Sequence, residues 1–303
     1  MYDLAVCIPT YKRPEMLKKT ILSITQGNLM GSDIRQVDII VVDNDSAMTA
    51  ETAVGNLMST IPQNYSLHYF SFPTKGLANV RNELLERAMR LNPTHIAFID
   101  DDEYASSDWL KELLATMVRN EADLVVGPVV SVFEHKVPEY TSYWFEKGDH
   151  ADDAPVKFVA SNNLIIRKDF LSKNGLRFDK RFNTTGAEDT YFGIQAVREG
   201  ARIFWAKKAK VFETVPPKRA NLDWLIKRRY RGAITFTYIL LLEKKYFQLV
   251  KKIVLSFLYL LIGAAGTLLM LFPIKLKYWG VLKVAEGYGG MAGVINVKYH
   301  EYK

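Results

Sequence analysis

Over its first 130 residues the chain alternates short apolar runs rich in Val, Ile and Phe with longer stretches of helical spacing. No other feature constrains the fold as much, because repeated strand–helix–strand units build a largely parallel sheet with helices on its faces. The predicted strands are Asp3–Pro9, Val37–Val42, Leu67–Phe72, His95–Ile99 and Leu124–Phe133. Pro14 sits where a first helical turn accepts proline and opens an amphipathic stretch through Leu17, Ile21 and Ile24. A second helix is predicted over Leu77–Arg90, and Ser107 or Asp108 caps a third that carries Trp109, Leu113 and Met117.

Beyond this region the period breaks between His135 and Pro155 into a polar, aromatic stretch long enough to be a functional loop on the acceptor side. Extended segments return at Val156–Ala160 and Leu164–Arg167, with a helix from about Asp189 to Glu199 and short strands at Ala201–Trp205 and Lys210–Phe212. Pro216–Pro217 marks a boundary, followed by a helix over Leu222–Leu242 rich in both Arg and apolar residues.

With 303 residues and 49% hydrophobic content the chain can bury a substantial core, which excludes intrinsic disorder and a small disulfide scaffold. The net charge of +7 is unevenly spread, since Lys207–Lys252 holds 13 basic and 3 acidic residues. A mildly acidic body therefore carries one basic segment suited to an anionic partner. The single cysteine, Cys7, lies in a strand-like run as a small core residue, and nothing here speaks for export. The five histidines have no i,i+4 pairing, so local spacing offers no zinc site.

Ile253–Phe272 is free of charge for 20 residues, long enough as one helix to cross a bilayer. Lys244, Lys245, Lys251 and Lys252 precede it while Lys275, Lys277 and Lys283 follow, so both flanks favour the same side. With Gly263-Ala-Ala-Gly266 as a place to turn, an in-plane or re-entrant hairpin is the favoured expectation, against a true span or a buried core helix.

The most informative run for chemistry is Ile99-Asp100-Asp101-Asp102-Glu103, four acids directly after a buried strand. Like charges so close repel unless a cation sits among them, and oxygen ligands suit Mg²⁺ or Mn²⁺ better than Zn²⁺. Asp43 closes the second strand in the same way, so two strands deliver carboxylates to one sheet edge. A solvated acidic turn is the alternative. Asp189 opens a helix, where the dipole keeps it ionised and able to act as a general base, although acids at helix starts are also ordinary caps. Arg228, Arg229 and Arg231 offer guanidinium forks suited to a diphosphate; a solvated charged face is the alternative, and no nucleic-acid motif accompanies them.

In these motifs and their order the chain resembles glycosyltransferase family 2, the inverting, nucleotide-sugar-dependent enzymes of GT-A fold, and within it the bacterial exopolysaccharide glucosyltransferases of succinoglycan type. The resemblance covers roughly residues 3–235. It implies a Rossmann-like, mostly parallel nucleotide-binding sheet with helices on both faces, followed by a helical, membrane-associated C-terminal segment. Residues 1–215 would form the catalytic domain, with 1–130 binding the nucleotide sugar and 131–215 the acceptor, and 216–303 the helical region. Pro9, Thr10, Tyr11 and Arg13 match the first nucleotide-binding turn. Asp43 and Asn44 stand where the uracil or ribose is held, and Lys75, Gly76 and Arg81 match the helix start beside the nucleotide. Asp100-Asp101-Asp102 occupies the D-x-D position, implying metal ligation by Asp100 and Asp102 and donor contact by Asp101. Glu188-Asp189 occupies the E-D position whose aspartate is the base. Glu213 stands where many members carry a histidine metal ligand; Asn162, Glu188 and the three arginines fall to the acceptor or diphosphate.

The resemblance thus implies transfer of one hexose from a UDP-sugar, with Mn²⁺ or Mg²⁺, to a hydroxyl of a lipid-linked saccharide at the cytoplasmic face of the inner membrane, the chain being peripheral or monotopic. The tryptophan of the processive Q-x-x-R-W motif is missing from Arg228-Arg229-Tyr230-Arg231-Gly232, which implies single addition. No nucleic-acid partner is expected. A metal-dependent nucleotidyltransferase and an inactive membrane-bound scaffold are the rival classes.

Overall fold

The computed structural model describes residues 1–145, 148–271 and 278–300. They form two compact units, one of Met1–Val132, Gly148–Asn183 and Glu188–Thr214, the other of Phe133–Lys147, Thr184–Ala187 and Val215–Lys303. In chain order the elements begin with β1 (Tyr2–Thr10), α1 (Pro14–Thr25), β2 (Ile34–Asp43), α2 (Glu51–Met58), β3 (Tyr65–Ser71), α3 (Leu77–Arg90) and β4 (His95–Ile99). They continue through β5 (Glu103–Ala105), α4 (Trp109–Arg119), β6 (Leu124–Val126), β7 (Val129–Val132) and α5 (Glu139–Phe145). Next come β8 (Asn163–Arg167), α6 (Lys168–Asn174), α7 (Glu188–Arg198), β9 (Ile203–Trp205) and β10 (Val211–Thr214). Three long helices close the chain: α8 (Leu222–Leu242), α9 (Tyr246–Thr267) and α10 (Trp279–Val294).

The first unit is α/β. Its main sheet has the order β3-β2-β1-β4-β8-β6-β9 and is parallel except where β8 runs against β4 and β6. A smaller sheet, β5-β10-β7, stands beside it. Every residue of β1 from Leu4 to Thr10 is buried because helices cover both faces, and alternation divides them. Leu4, Val6 and Ile8 join Leu17, Ile21 and Trp109 in one core; Ala5 and Cys7 join Leu84, Phe178 and Phe192 in the other. Burial pushes the Cys7 thiol up from its ordinary value.

Several expectations change. The single strand predicted over Leu124–Phe133 is two, β6 and β7, which lie in different sheets. Between them Pro128 has no N–H with which to continue a ladder. Val156–Ala160 is not a strand: Pro155 makes one isolated bridge to Phe204 and the chain then runs irregularly. The His135–Pro155 stretch contains α5. Asp108 makes no side-chain cap on α4 and instead accepts from Asn28 Nδ2 at 3.0 Å. The Gly263–Gly266 stretch does not turn the chain, since α9 runs through it unbroken. These glycines permit close packing against α10: a Cβ on Gly263 would lie 2.7 Å from the Val284 nitrogen, and one on Gly280 would lie 2.4 Å from the Gly266 carbonyl carbon. Phe272, Lys275 and Lys277 lie outside the described residues.

In the second unit α10 runs antiparallel to α9 and parallel to α8, its glycines meeting α9 at Ser256, Leu260 and Gly263 and α8 at Tyr230 and Ile234. Among the described residues α9 is the one helix long and apolar enough to cross a membrane, with a mean hydropathy of 1.8. Leu249, Ser256 and Gly263 are buried, while Phe247, Val250, Val254, Phe257 and Leu261 are exposed. The buried-core reading of this stretch therefore does not describe α9, whose apolar surface is largely uncovered by this chain.

His95 begins β4, is 5% exposed, and lies edge-on to Tyr2 with its Nδ1 2.9 Å from Thr94 Oγ1. Burial, helped by Arg167 and opposed by Asp169, lowers its pKa from 6.5 to about 4. A histidine kept neutral in the fold stabilises it fully above the unfolded-state pKa, and that stability is lost as pH falls from 6.5 through 4. Acidification to about pH 5 should cost about 2 kcal/mol through this group. Urea denaturation at the two pH values should show a smaller loss in His95→Gln than in the unaltered chain.

Candidate active site

The strand order reverses beside β1: the chain steps outward through β2 and β3, then returns to place β4 on the other side. Crevices at such reversals, outside the carboxyl ends of the strands, are where open α/β sheets bind ligands. Here β1 ends at Thr10 and β4 runs into the acid cluster.

The acids have different environments. Asp101 is buried and accepts from Thr10 Oγ1 at 2.8 Å, Arg13 NH1 at 3.0 Å and the Tyr11 amide at 3.4 Å, so it joins the turn after β1 to the turn after β4. Burial raises it to about 6 against the pull of Arg13. Asp102 accepts from the same Arg13 nitrogen at 2.8 Å. Asp100 accepts from Arg81 NH2 at 3.1 Å, and desolvation raises it above its ordinary value, with Asp102 and Asp189 pushing the same way. Glu103 is buried: its Oε2 accepts from the Asp100 amide at 3.1 Å and its Oε1 from Asn162 Nδ2 at 2.7 Å. Burial, then Asp100, raises its pKa well above the ordinary range. Thr20, on α1, fastens the turn by donating to the Glu103 carbonyl at 2.5 Å, with the Asp101 carbonyl 3.1 Å from the same hydroxyl.

Arg81 lies on α3 at 4% exposure and pairs through NH1 with Glu188 and through NH2 with Asp100. The expectation of a nucleotide contact meets a guanidinium whose two terminal nitrogens already serve carboxylates. Through it, the start of α7 and the end of β4 share one cation. Asp189, the next residue of α7, is half-buried, accepts from its neighbour Thr190, and lies within electrostatic reach of Asp100. Glu188, placed by its motif on the acceptor side, is buried against Arg81 instead.

The remaining predicted residues differ in their surroundings. Pro9 and Thr10 end β1, Tyr11 is exposed beyond them, and Asn44 donates to the carbonyls of Phe72 and Thr74. Asp43 is fully buried, with its oxygens accepting from the amides of Asp45 and Ala50 and from Tyr69 OH at 2.8 Å. It shapes the β2 turn rather than facing outward. Lys75 is exposed, and Gly76 takes a φ of 118° against Asn183, where a Cβ would come within 2.4 Å of that side chain. Asn183 Oδ1 accepts from the Asn79 amide at 3.0 Å at the start of α3; no sequence signal marks it. Antiparallel pairing of β10 with β5 sets Glu213 opposite Glu103. Arg228, Arg229 and Arg231 belong to the second unit: Arg228 lies over Trp224, Arg229 over Trp144, and Arg231 is buried.

The donor set fits a hard divalent cation. The candidate donors are all carboxylate oxygens, and these acids outnumber the two arginines, Arg13 and Arg81, that pair with them. Among the described residues no group of three His, Cys, Asp or Glu side chains is placed to hold a metal ion.

Known proteins resemble this chain in sequence and in fold. A model described as Glycosyl transferase family 2 matches residues 5–175, and one described as Glycosyl transferase family group 2 matches residues 95–285. The succinoglycan biosynthesis protein ExoM of Rhizobium meliloti is 33% identical over 77% of this chain and 73% of that protein. The poly(ribitol-phosphate) beta-N-acetylglucosaminyltransferase TarP of Staphylococcus aureus is 27% identical over 64% of this chain and 57% of its own length. The crystal structure of residues 1–349 of S. aureus TarS superposes with a TM-score of 0.56 at 17% identity, covering 98% of this chain and 93% of that one. Structures of that fragment with UDP and with UDP-GlcNAc give similar scores, and at this identity the likeness is one of fold.

Replacing Arg81 by Gln should leave Glu188 and Asp100 without their cation and cost about 3–5 kcal/mol, the scale of breaking a buried pair from one side. Adding Glu188→Gln to that variant should recover part of the loss, which chemical denaturation of the single and double variants would read.

Proposed function

Because the chain belongs to glycosyl transferase family 2, we propose that it transfers one hexose from a UDP-sugar, with inversion, to a hydroxyl of a lipid-linked saccharide during exopolysaccharide synthesis. The observation that carries this reading is the meeting, at the strand reversal, of the acids after β4 with the start of α7 through Arg81. The similarity to ExoM supports the polysaccharide context. UDP is favoured as the nucleotide because the TarS fragment has been crystallised with UDP and UDP-GlcNAc.

In this reading Asp102, with Asp100, would hold Mg²⁺ or Mn²⁺. When bound, that cation would offset the negative charge of the donor diphosphate and make it a tolerable leaving group. Asp101 and Arg13 keep the first turn closed against the acid cluster, and Glu103 with Asn162 fixes the backbone at Asp100. Asp189 accepts the proton of the acceptor hydroxyl as its oxygen attacks the anomeric carbon from the face opposite the diphosphate. One displacement then inverts the configuration, without a covalent intermediate. The largely uncovered apolar helix α9 supports a place at the membrane, and we assign the cytoplasmic face, where nucleotide sugars would be supplied.

Asp102→Ala should abolish Mn²⁺-dependent stabilisation by UDP-sugars in a thermal-shift assay while leaving the unliganded melting temperature nearly unchanged, since the residue is at a strand end outside the core. Asp189→Asn should keep donor affinity and lose turnover by about 10²-fold or more. Equal loss of donor binding would instead place Asp189 in the donor site. Proton NMR of the product should show a β-linkage from an α-linked donor; an α-linkage would exclude the single displacement.

A further inference from the structure

The three long helices of the second unit enclose a group of charges that the catalytic reading does not use. Arg229 of α8 and Lys283 of α10 both approach Glu286 Oε2, at 3.6 and 3.0 Å. The guanidinium lies 4.1 Å from the ring centre of Trp144, and the Lys283 ammonium 3.9 Å from that of Tyr259. Lys252 of α9 is half-buried nearby, with no carboxylate within ion-pairing distance among the described residues. Burial holds Arg229 and Lys252 below their ordinary values; Glu286 opposes this for both, while Lys283 and Arg229 add to it at Lys252. Two buried polar atoms here have no hydrogen-bond partner among the described residues: Arg229 Nε, and Ser256 Oγ one turn along α9 from Lys252, on a side chain with no exposure.

Arg229 and Lys283 share one carboxylate and Lys252 has none, so about two positive charges are left uncompensated in surroundings where repulsion is weakly screened. A surface-charge explanation does not account for them, because surface lysines turn outward into water, whereas Arg229 and Lys283 lie against the rings of Trp144 and Tyr259 and Lys252 is half-buried. The missing charge matches a phosphate monoester or a diphosphate, and an arginine fork beside two ammonium groups suits its oxygens. The same α9 that supplies Lys252 turns the apolar residues Phe247, Val250, Val254 and Phe257 outward, which would bring a phosphate carried on a lipid to the side of this basic cluster. We propose that Arg229, Lys252 and Lys283 form a binding site for the phosphate of a lipid headgroup within the helical unit. The lipid assignment rests on the membrane-associated reading given above; the phosphate chemistry stands without it.

Flotation with vesicles of phosphatidylcholine, with and without phosphatidic acid, tests this, alongside calorimetric titration with inorganic pyrophosphate. The full chain should bind the phosphatidic acid vesicles better, and Lys252→Gln/Lys283→Gln should weaken that preference about tenfold or more, the scale of losing a charge-assisted hydrogen bond. The charge-matched control Lys244→Gln/Lys251→Gln should change it far less; equal losses would mean diffuse attraction and overturn the site. Glu286→Gln should tighten phosphate binding by removing a competing carboxylate, and it keeps the test alive should the double variant fail to fold. A lowered melting temperature with no gain in binding would instead make the cluster a structural ion-pair network. Pyrophosphate binding as strong as vesicle binding, and lost in the same variants, would overturn the lipid as the source. Donor-nucleotide binding, measured in each variant, reports on the catalytic unit separately, so failure of the glycosyl-transfer reading would be distinguishable from failure of this one.

Discussion

The buried guanidinium of Arg81 is the interaction on which the catalytic arrangement depends. A carboxylate out of water is stabilised by a cation beside it, and this one side chain serves two carboxylates, Glu188 from α7 and Asp100 from the end of β4. Those residues are far apart in the chain, and the ion pairs bring them to one end of the sheet. The residue after Glu188 inherits its position from that pairing. Asp189 needs no burial of its own, because its neighbour anchors the helix that carries it.

Around this anchor the acid run is held by its backbone as much as by its side chains. Thr20 donates to the Glu103 carbonyl, Glu103 binds the Asp100 amide, and Asp101 closes onto the turn after β1. Four adjacent acids have therefore divided their work: Asp101 and Glu103 are internal fasteners, while Asp100 and Asp102 stand at the crevice with arginine contacts that a bound cation would rearrange. The raised pKa values of Asp100, Asp101 and Glu103 share one cause, desolvation of carboxyls packed together.

What the sequence reveals follows the range of the physics involved. The ends of α3, β4 and α8 agree with their predicted limits because buried strands and amphipathic helices are written in local periodicity. The helix α2 escapes notice because Thr52, Gly55 and Asn56 give it little intrinsic propensity, and only packing of Val54 and Leu57 holds it. The motif residues Asp100, Asp102, Arg81 and Asp189 are all recognisable, yet their partners are not. The motif marks Arg81 but not its pairing with Glu188, 107 residues away. It marks Asp43 at a strand end but not the Tyr69 hydroxyl that donates to it. Long-range pairing has no local signature, so identity is legible while orientation is not.

The lone cysteine has a practical consequence for studying all of this. Cys7 is enclosed in the middle of β1 between two cores, its Sγ 3.8 Å from the Leu84 carbonyl and its thiol held protonated by burial. It is neither reachable nor nucleophilic in the folded chain. The native sequence is therefore already a silent background for thiol chemistry: a reporter cysteine placed on α9 or at the crevice rim would carry a fluorophore or spin label alone, and reactivity at Cys7 itself would signal that the central sheet had opened.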